Sequence, residues 1–146
     1  MSIFLREVNA GDMESILAWR NDPLTRENSF NKEEISLSDH QKWFAGKMAD
    51  DNCLFYIMMD HDMPIGQLRI DRQDDIGEIS YMIAPEARGK GYGSKILTLA
   101  QEVAKGEVKV LLGLVEKQNT ASCKCFEKNG FAEFDGGDMI CFIRSL

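Results

Sequence analysis

The 146-residue chain is poor in the residues that staple or metallate a small domain. It has four cysteines, Cys53, Cys123, Cys125 and Cys141, and two histidines, His40 and His61. No two cysteines form a CxxC pair, and Cys123 and Cys125, two apart, point to different sides of a helix. A disulfide framework and a metal site are both disfavoured, and reduced thiols in the cytoplasm are the expectation. Long apolar runs are missing as well. Leu54–Met59 and Val110–Leu112 are far too short to cross a bilayer, so no membrane association is expected. The stretch from Met1 to Glu7 shows no basic leader followed by an apolar run, so no secretory signal is expected either. Cations are outnumbered, 17 Lys and Arg against 24 Asp and Glu, for a formal charge of −7. That balance argues against a nucleic-acid partner, which needs a basic face to displace counterions. A local basic pocket for a small anion remains compatible with it.

The chain shows no repeat, low-complexity tract or linker, and its length suits one domain spanning residues 1–146. A chain of this size buries about two-thirds of its unfolded surface and needs no staple. Ile3–Val8 suits a first strand. Gly11-Asp12 opens a helix with Met13, Ile16 and Leu17 on one stripe. Arg20 extends that stripe, so its guanidinium either meets an anion in a wet groove or snorkels from a frayed end. Asn21-Asp22-Pro23 stops the helix. Leu24–Leu37 is polar and without period and reads as a long loop, a class that is often functional. Ser38-Asp39-His40-Gln41 resembles a capping box, with Ser38 as N-cap of a helix that places His40, Trp43, Phe44 and Met48 on one face.

Cys53–Met59, Met63–Asp71 and Ile76–Ile83 are separated by short polar turns and predict an antiparallel meander. A helix follows from Gly91 and ends at Gly106. The apolar run Val108–Val115 predicts a strand buried on both faces. A short helix at Thr120–Lys128 and two strands, Phe131–Phe134 and Met139–Ile143, complete the chain. The order β-α-α-β-β-β-α-β-α-β-β predicts an α/β fold (an α+β mixed sheet) covered by helices.

The most informative segment is Pro85-Glu86-Ala87-Arg88-Gly89-Lys90-Gly91-Tyr92-Gly93-Ser94-Lys95. It leaves a strand and enters a helix. Glycines at alternate positions let successive backbone N–H groups turn toward one concavity, backed by the positive end of the helix. Arg88, Lys90 and Lys95 add cations, so phosphate or pyrophosphate is the natural occupant; a ligand-free turn is the alternative. The Walker pattern fails because Ser94 precedes Lys95. The dinucleotide fingerprint fails because Ser94 stands where its last glycine belongs.

Arg88-Gly89-Lys90-Gly91-Tyr92-Gly93 resembles the (Arg/Gln)-x-x-Gly-x-(Gly/Ala) loop of the GCN5-related N-acetyltransferase (GNAT) superfamily. Downstream, the run Asn119-Thr120-Ala121-Ser122-Cys123-Lys124-Cys125-Phe126-Glu127-Lys128-Asn129-Gly130-Phe131 is similar to that superfamily's second signature, an Asn-led helix ending in Glu-Lys-x-Gly-Phe. The strand order agrees along nearly the whole chain. The resemblance implies the GNAT fold, acetyl-CoA as co-substrate without a metal, and direct attack of an acceptor amine on the thioester. It implies that Arg88, Gly89, Lys90, Gly91, Tyr92, Gly93 and Ser94 hold the pyrophosphate. The strand end Met82-Ile83 would pair with the pantetheine arm and offer a backbone donor to the thioester oxygen. Asn119 and Ser122 would touch the cofactor.

The attacking amine must lose a proton, and Glu78 is the candidate base. Period two places it on one face with Ser80 and Met82; the alternative is a solvent-facing or salt-bridged carboxylate. Relatives often carry Tyr at the position of Phe126, where its hydroxyl protonates the departing thiolate. Phe126 has no such proton, and packing beneath the cofactor is its reading here. The proton then comes from water, from Tyr81 or from no group at all. Cys125 reads as an inert helical thiol.

The acceptor end falls to Arg20, Arg26, His40 and Trp43. Trp19-Arg20-Asn21-Asp22-Pro23 with Arg26, Asn28, Ser29, His40 and Trp43-Phe44 resembles the acetyltransferases that act on a 4-amino group of a nucleotide-linked deoxy sugar, as in pseudaminic acid synthesis. Arg20 and Arg26 could grip a diphosphate bidentately. Trp43 or Phe44 could stack on a base or sugar, or belong to the core, and His40 could hydrogen-bond or move a proton. Peptide or ribosomal-protein N-terminal acetylation and a non-catalytic acetyl-CoA-binding module are the competing readings, and a homodimer is possible.

Overall fold

A computed structural model describes residues 2–146. Seven strands form one mixed sheet: β1 (Ile3–Glu7), β2 (Cys53–Asp60), β3 (Met63–Gln73), β4 (Ile76–Ile83), β5 (Val110–Glu116), β6 (Ala132–Asp135) and β7 (Met139–Ser145), in the order β1-β2-β3-β4-β5-β7-β6. All neighbours are antiparallel except β4 and β5. That parallel pair requires a crossover, which α4 (Tyr92–Ala104) supplies. The other helices are α1 (Met13–Asn21), α2 (Pro23–Glu27), α3 (Leu37–Ala49) and α5 (Thr120–Lys128). No described helix is long and apolar enough to cross a membrane.

The registers divide the sheet into two faces. Phe55, Arg69 and Ser80 are lateral neighbours, as are Asp71, Glu78 and Leu112. This face lies under α1 and α3, which pack on β4 and β2. Leu68, Ile70, Ile79, Leu111 and Phe142 point the other way, under α4 and α5, and pack with Ile96, Leu97, Ala100 and Phe126 into the main core. Each fully buried Leu, Ile or Phe side chain there is worth about 1.5–3 kcal/mol of apolar transfer.

Three local expectations are corrected. Residues 24–37 are not all loop. Pro23 both ends α1 and opens α2, because a missing N–H and a fixed φ suit a first helical position, and Asp22 Oδ2 accepts the Thr25 N–H at 3.2 Å. The N-cap of α3 is Ser36, not Ser38: Ser36 is extended and its Oγ accepts the Asp39 N–H at 3.1 Å, whereas Ser38 is already helical. Finally, β5 begins at Val110 and is buried on one face only. Leu111 and Val115 are buried beneath the α4 and α5 face, while Leu112 and Leu114 are half-exposed on the other. The apolar run alone could not show that α1 and α3 cover β2–β4.

Candidate active site

Parallel pairing of the two central strands joins Ile76–Ile79 to Val110–Gly113 and then stops. Beyond that point β4 stays with β3 as far as Ile83, and β5 stays with β7 as far as Glu116. The strands diverge, and a cavity of about 720 Å³ opens between them, lined by Ser80, Tyr81, Met82 and Ile83 on one wall and Leu114 and Val115 on the other. Ala84 donates its N–H to the Ile65 carbonyl at 2.8 Å. Alternation along an antiparallel ladder then turns the polar groups of Met82 to β3 and those of Tyr81 and Ile83 away from it, into the crevice. Backbone groups at such an edge need partners, and an extended amide-bearing chain can supply them as an added strand would. Of the expected pair Met82-Ile83, Ile83 offers backbone groups and Met82 offers its side chain.

The glycine loop closes one end of this crevice. A short 3-10 turn at Pro85–Ala87, not foreseen in the sequence, leads into it. Gly89 and Gly91 have φ of 76° and 80°, the left-handed conformation that alternates with right-handed neighbours in an anion-binding nest. Gly91 is also the N-cap of α4, so the helix dipole points at the concavity. Gly93 serves a different end: a Cβ there would lie 3.0 Å from Cys125 Sγ, so its absence brings α4 close to α5.

The loop's side chains are less uniform than the motif suggests. Arg88 turns across to α2, where its Nη2 donates to Asp22 Oδ2 and, at 2.9 Å, to Thr25 Oγ1. This contact holds the Asp22 carboxyl below the usual range. Arg88 thus joins the glycine loop to the opposite wall, which leaves the nest to backbone N–H groups. Tyr92 lines the cavity, with its hydroxyl on Asp60 Oδ2 at 2.8 Å. Lys90 is exposed at the rim, and the Ser94 hydroxyl faces Asn129 Nδ2 at 3.2 Å; neither residue lines the cavity.

The floor comes from α5. Asn119 caps it, its Oδ1 accepting the Ser122 N–H at 3.3 Å, and both residues line the cavity. Phe126 is 2% exposed, stacked on Phe142 at 4.9 Å and edge-on to Phe131 at 5.0 Å. Its ring tip rests on Gly113, where a Cβ would come within 2.4 Å of Cζ. Position 126 therefore points into the sheet, as packing beneath a ligand requires. Burial pushes the Cys125 thiol up and keeps it protonated, in line with an inert role.

The opposite wall carries the expected acceptor residues. Glu78 is exposed and lines the cavity where the strands begin to part. Arg20 also lines it, donating Nη2 to the Asn31 carbonyl at 2.7 Å, while its Nη1 is buried without a partner. Arg26 lies outside the lining, but its Nε is likewise buried and unpartnered. Burial and the nearby Arg26 charge lower the Arg20 pKa. Trp43 lines the cavity and carries the Arg69 guanidinium 5.1 Å above its ring. His40 is 2% exposed and uses Nε2 on the Met13 carbonyl at 2.9 Å, tying α3 to α1, and burial lowers its pKa. That bond reads more as a structural tie than as a proton shuttle.

Several lining residues went unassigned in the sequence. Gln67 is 2% exposed with Nε2 unpartnered, and Arg69 bridges Asp71 Oδ2 at 2.8 Å and Ser80 Oγ at 3.2 Å. Their signal is the alternation of Gln67, Arg69 and Asp71 with Leu68 and Ile70, which puts the polar side chains on one face of β3. Segment 22–32 spans the crevice mouth, held by Arg88 on one side and by Lys32 Nζ on Glu116 Oε1 at 2.8 Å on the other. Among the described residues no group of His, Cys, Asp and Glu could hold a metal ion.

A family model described as "Acetyltransferase (GNAT) domain" matches residues 2–132. YwnH of Bacillus subtilis (strain 168), provisionally named a phosphinothricin acetyltransferase, is 27% identical over 140 residues, covering 89% of this chain and 84% of that protein. The structure of AAC(6')-Ib with ribostamycin and coenzyme A superposes with a TM-score of 0.86 at 21% identity, covering 99% of this chain and 94% of that one. Spermidine N-acetyltransferase from Vibrio cholerae, with CoA and spermine, gives 0.85 at 18% identity, covering 99% and 95%. At these identities the structural likenesses establish a shared fold.

Proposed function

The chain belongs to the GNAT acetyltransferase family, and on that premise we propose that it moves the acetyl group of acetyl-CoA to the amine of an anionic small molecule, a nucleotide-linked 4-amino deoxy sugar being the acceptor we favour. The observation that carries the cofactor half is the crevice itself: an unpaired strand edge at Tyr81 and Ile83 that ends at a left-handed glycine nest. Pantetheine is an extended chain with two amides, and pyrophosphate is the anion such a nest accommodates. In this reading Gly89, Gly91 and the start of α4 hold the pyrophosphate, Asn119 and Ser122 line the arm, and Phe126 supports it from below. A backbone N–H of β4 faces the carbonyl oxygen where negative charge develops. Glu78 takes the amine proton.

The acceptor half rests on Arg20 and Arg26. The buried, unpartnered Nη1 of Arg20, a residue that lines the cavity, is costly, and a phosphate or carboxylate on the acceptor satisfies it, while Arg26, outside the lining, adds positive charge nearby. The YwnH likeness favours one second reading, a compact amino acid with further anionic groups, as phosphinothricin is. The pair speaks against a polycation.

The test is an acetyl-CoA consumption screen across UDP-linked 4-amino sugars, phosphinothricin, N-terminal peptides, polyamines and aminoglycosides. Turnover is expected with the anionic amines. Arg20→Ala is expected to raise the KM of the preferred acceptor about tenfold or more and to leave that of acetyl-CoA unchanged. Turnover confined to polycations overturns the acceptor assignment. Tight CoA binding without any turnover overturns the enzymatic reading in favour of a binding module.

A further inference from the structure

The loss of the C–S electron pair to sulfur calls for a proton donor, and Phe126 cannot be one. We propose that Tyr81 donates that proton, held by Ser122 at the junction of α4 and α5; the assignment rests on the acetyl-transfer reading above. The Tyr81 hydroxyl lies 2.7 Å from Ser122 Oγ. It also lies 3.8 Å from the position a Cβ would take on Gly93, in the first turn of α4, while Ser122 belongs to the first turn of α5. Both residues line the crevice, and the Tyr81 backbone lies on its unpaired edge. The ring is fixed against Phe126, with centroids 6.2 Å apart.

Two structural features suit this hydroxyl to the role. Burial raises the Tyr81 pKa, so the phenol keeps its proton near neutrality and is available as a hydrogen-bond donor to the departing sulfur. The groups facing it are Ser122, Cys125 and Cys123; burial raises the pKa of both thiols, so neither carries charge near neutrality. Once the proton has left, the phenolate lies close to two helix N-termini and accepts a hydrogen bond from Ser122, all of which favour negative charge.

The step balances without an added reagent. The amine nitrogen forms a bond to the carbonyl carbon, the C–S bond breaks, and its electron pair stays on sulfur. Sulfur takes the Tyr81 proton to become the thiol. The proton that the amine gives up returns through Glu78 and solvent to the phenolate. The net change is one amine proton moved to CoA.

The test compares wild type with Tyr81→Phe, which keeps the ring, and with Ser122→Ala. Tyr81→Phe is expected to lower kcat about a hundredfold with little change in the KM of acetyl-CoA. A second readout needs no turnover: titration of the bound CoA thiol, followed by thiolate absorbance. A phenol that donates to sulfur stabilises the thiolate, so Tyr81→Phe is expected to raise the bound thiol's pKa by about one to two units. Ser122→Ala should shift it in the same direction by less. Unchanged kcat together with an unchanged thiol titration in Tyr81→Phe overturns the assignment. A wild type that acetylates no amine overturns the function proposed above instead, and the thiol titration then decides the Tyr81 contact by itself.

Discussion

Glu78→Gln is expected to slow acetyl transfer by about a hundredfold or more, because a positioned base contributes about 10²–10⁴. An ammonium has no lone pair, so transfer near neutral pH waits on removal of its proton. Glu78 stands at the point where β4 and β5 separate, on the face covered by α1 and α3, with Ser80 and Met82 beyond it toward the loop. It is exposed, and among the described residues no side-chain hydrogen bond or ion pair engages it. Replacing it should therefore leave the thermal midpoint and the KM of acetyl-CoA unchanged while kcat falls. A variant whose rate and pH profile match those of wild type removes Glu78 from the mechanism and hands the amine proton to water.

The second large effect concerns stability. Phe126→Ala is expected to lower the unfolding free energy by about 3–5 kcal/mol, the usual cost of deleting a buried phenyl ring. The ring is 2% exposed, stacked on Phe142, edge-on to Phe131 and seated on Gly113. The site depends on the same contact, because Phe126 forms part of the crevice floor. Phe126→Tyr adds a para hydroxyl, which would be driven toward the Gly113 backbone. That variant should lose about 1–3 kcal/mol through overpacking and gain no rate. Urea unfolding checks both variants. A Tyr variant as stable as wild type and faster in transfer would show that the ring can swing into the crevice.

The parts of the site legible in the sequence are those whose chemistry is local. The glycine spacing of residues 89–93 dictates its own backbone, and Asn119 caps the helix that follows it immediately, so both could be read from neighbours in the chain. The period-two placement of Glu78 with Ser80 and Met82 needed only strand geometry. What escaped depends on distant partners. Arg88 reads as a phosphate ligand from its motif, but its guanidinium meets Asp22 across the crevice, and no local pattern signals that pairing. The packing of Phe126 into the sheet depends on a glycine in β5, since any Cβ at position 113 would displace the ring. The divergence of β4 from β5, which creates the cavity, is a register property shared by β3, β4, β5 and β7. The α3 cap was misplaced because Ser36 and Ser38 both offer the needed oxygen, and only the extended backbone of Ser36 can deliver it.

The central claim is that the crevice and its glycine nest bind coenzyme A. Calorimetric titration of coenzyme A into wild type and Gly91→Val tests it without an acceptor. Gly91 has φ of 80°, a conformation that valine adopts only under strain, and no atom lies within 4 Å of its Cβ position. The substitution therefore acts on the nest's backbone rather than on packing. Wild type should bind one equivalent, and the variant, still folded by circular dichroism, should bind at least about tenfold more weakly as N–H contacts to the pyrophosphate are lost. A wild type that binds no coenzyme A, or a folded variant that binds it equally well, contradicts the account.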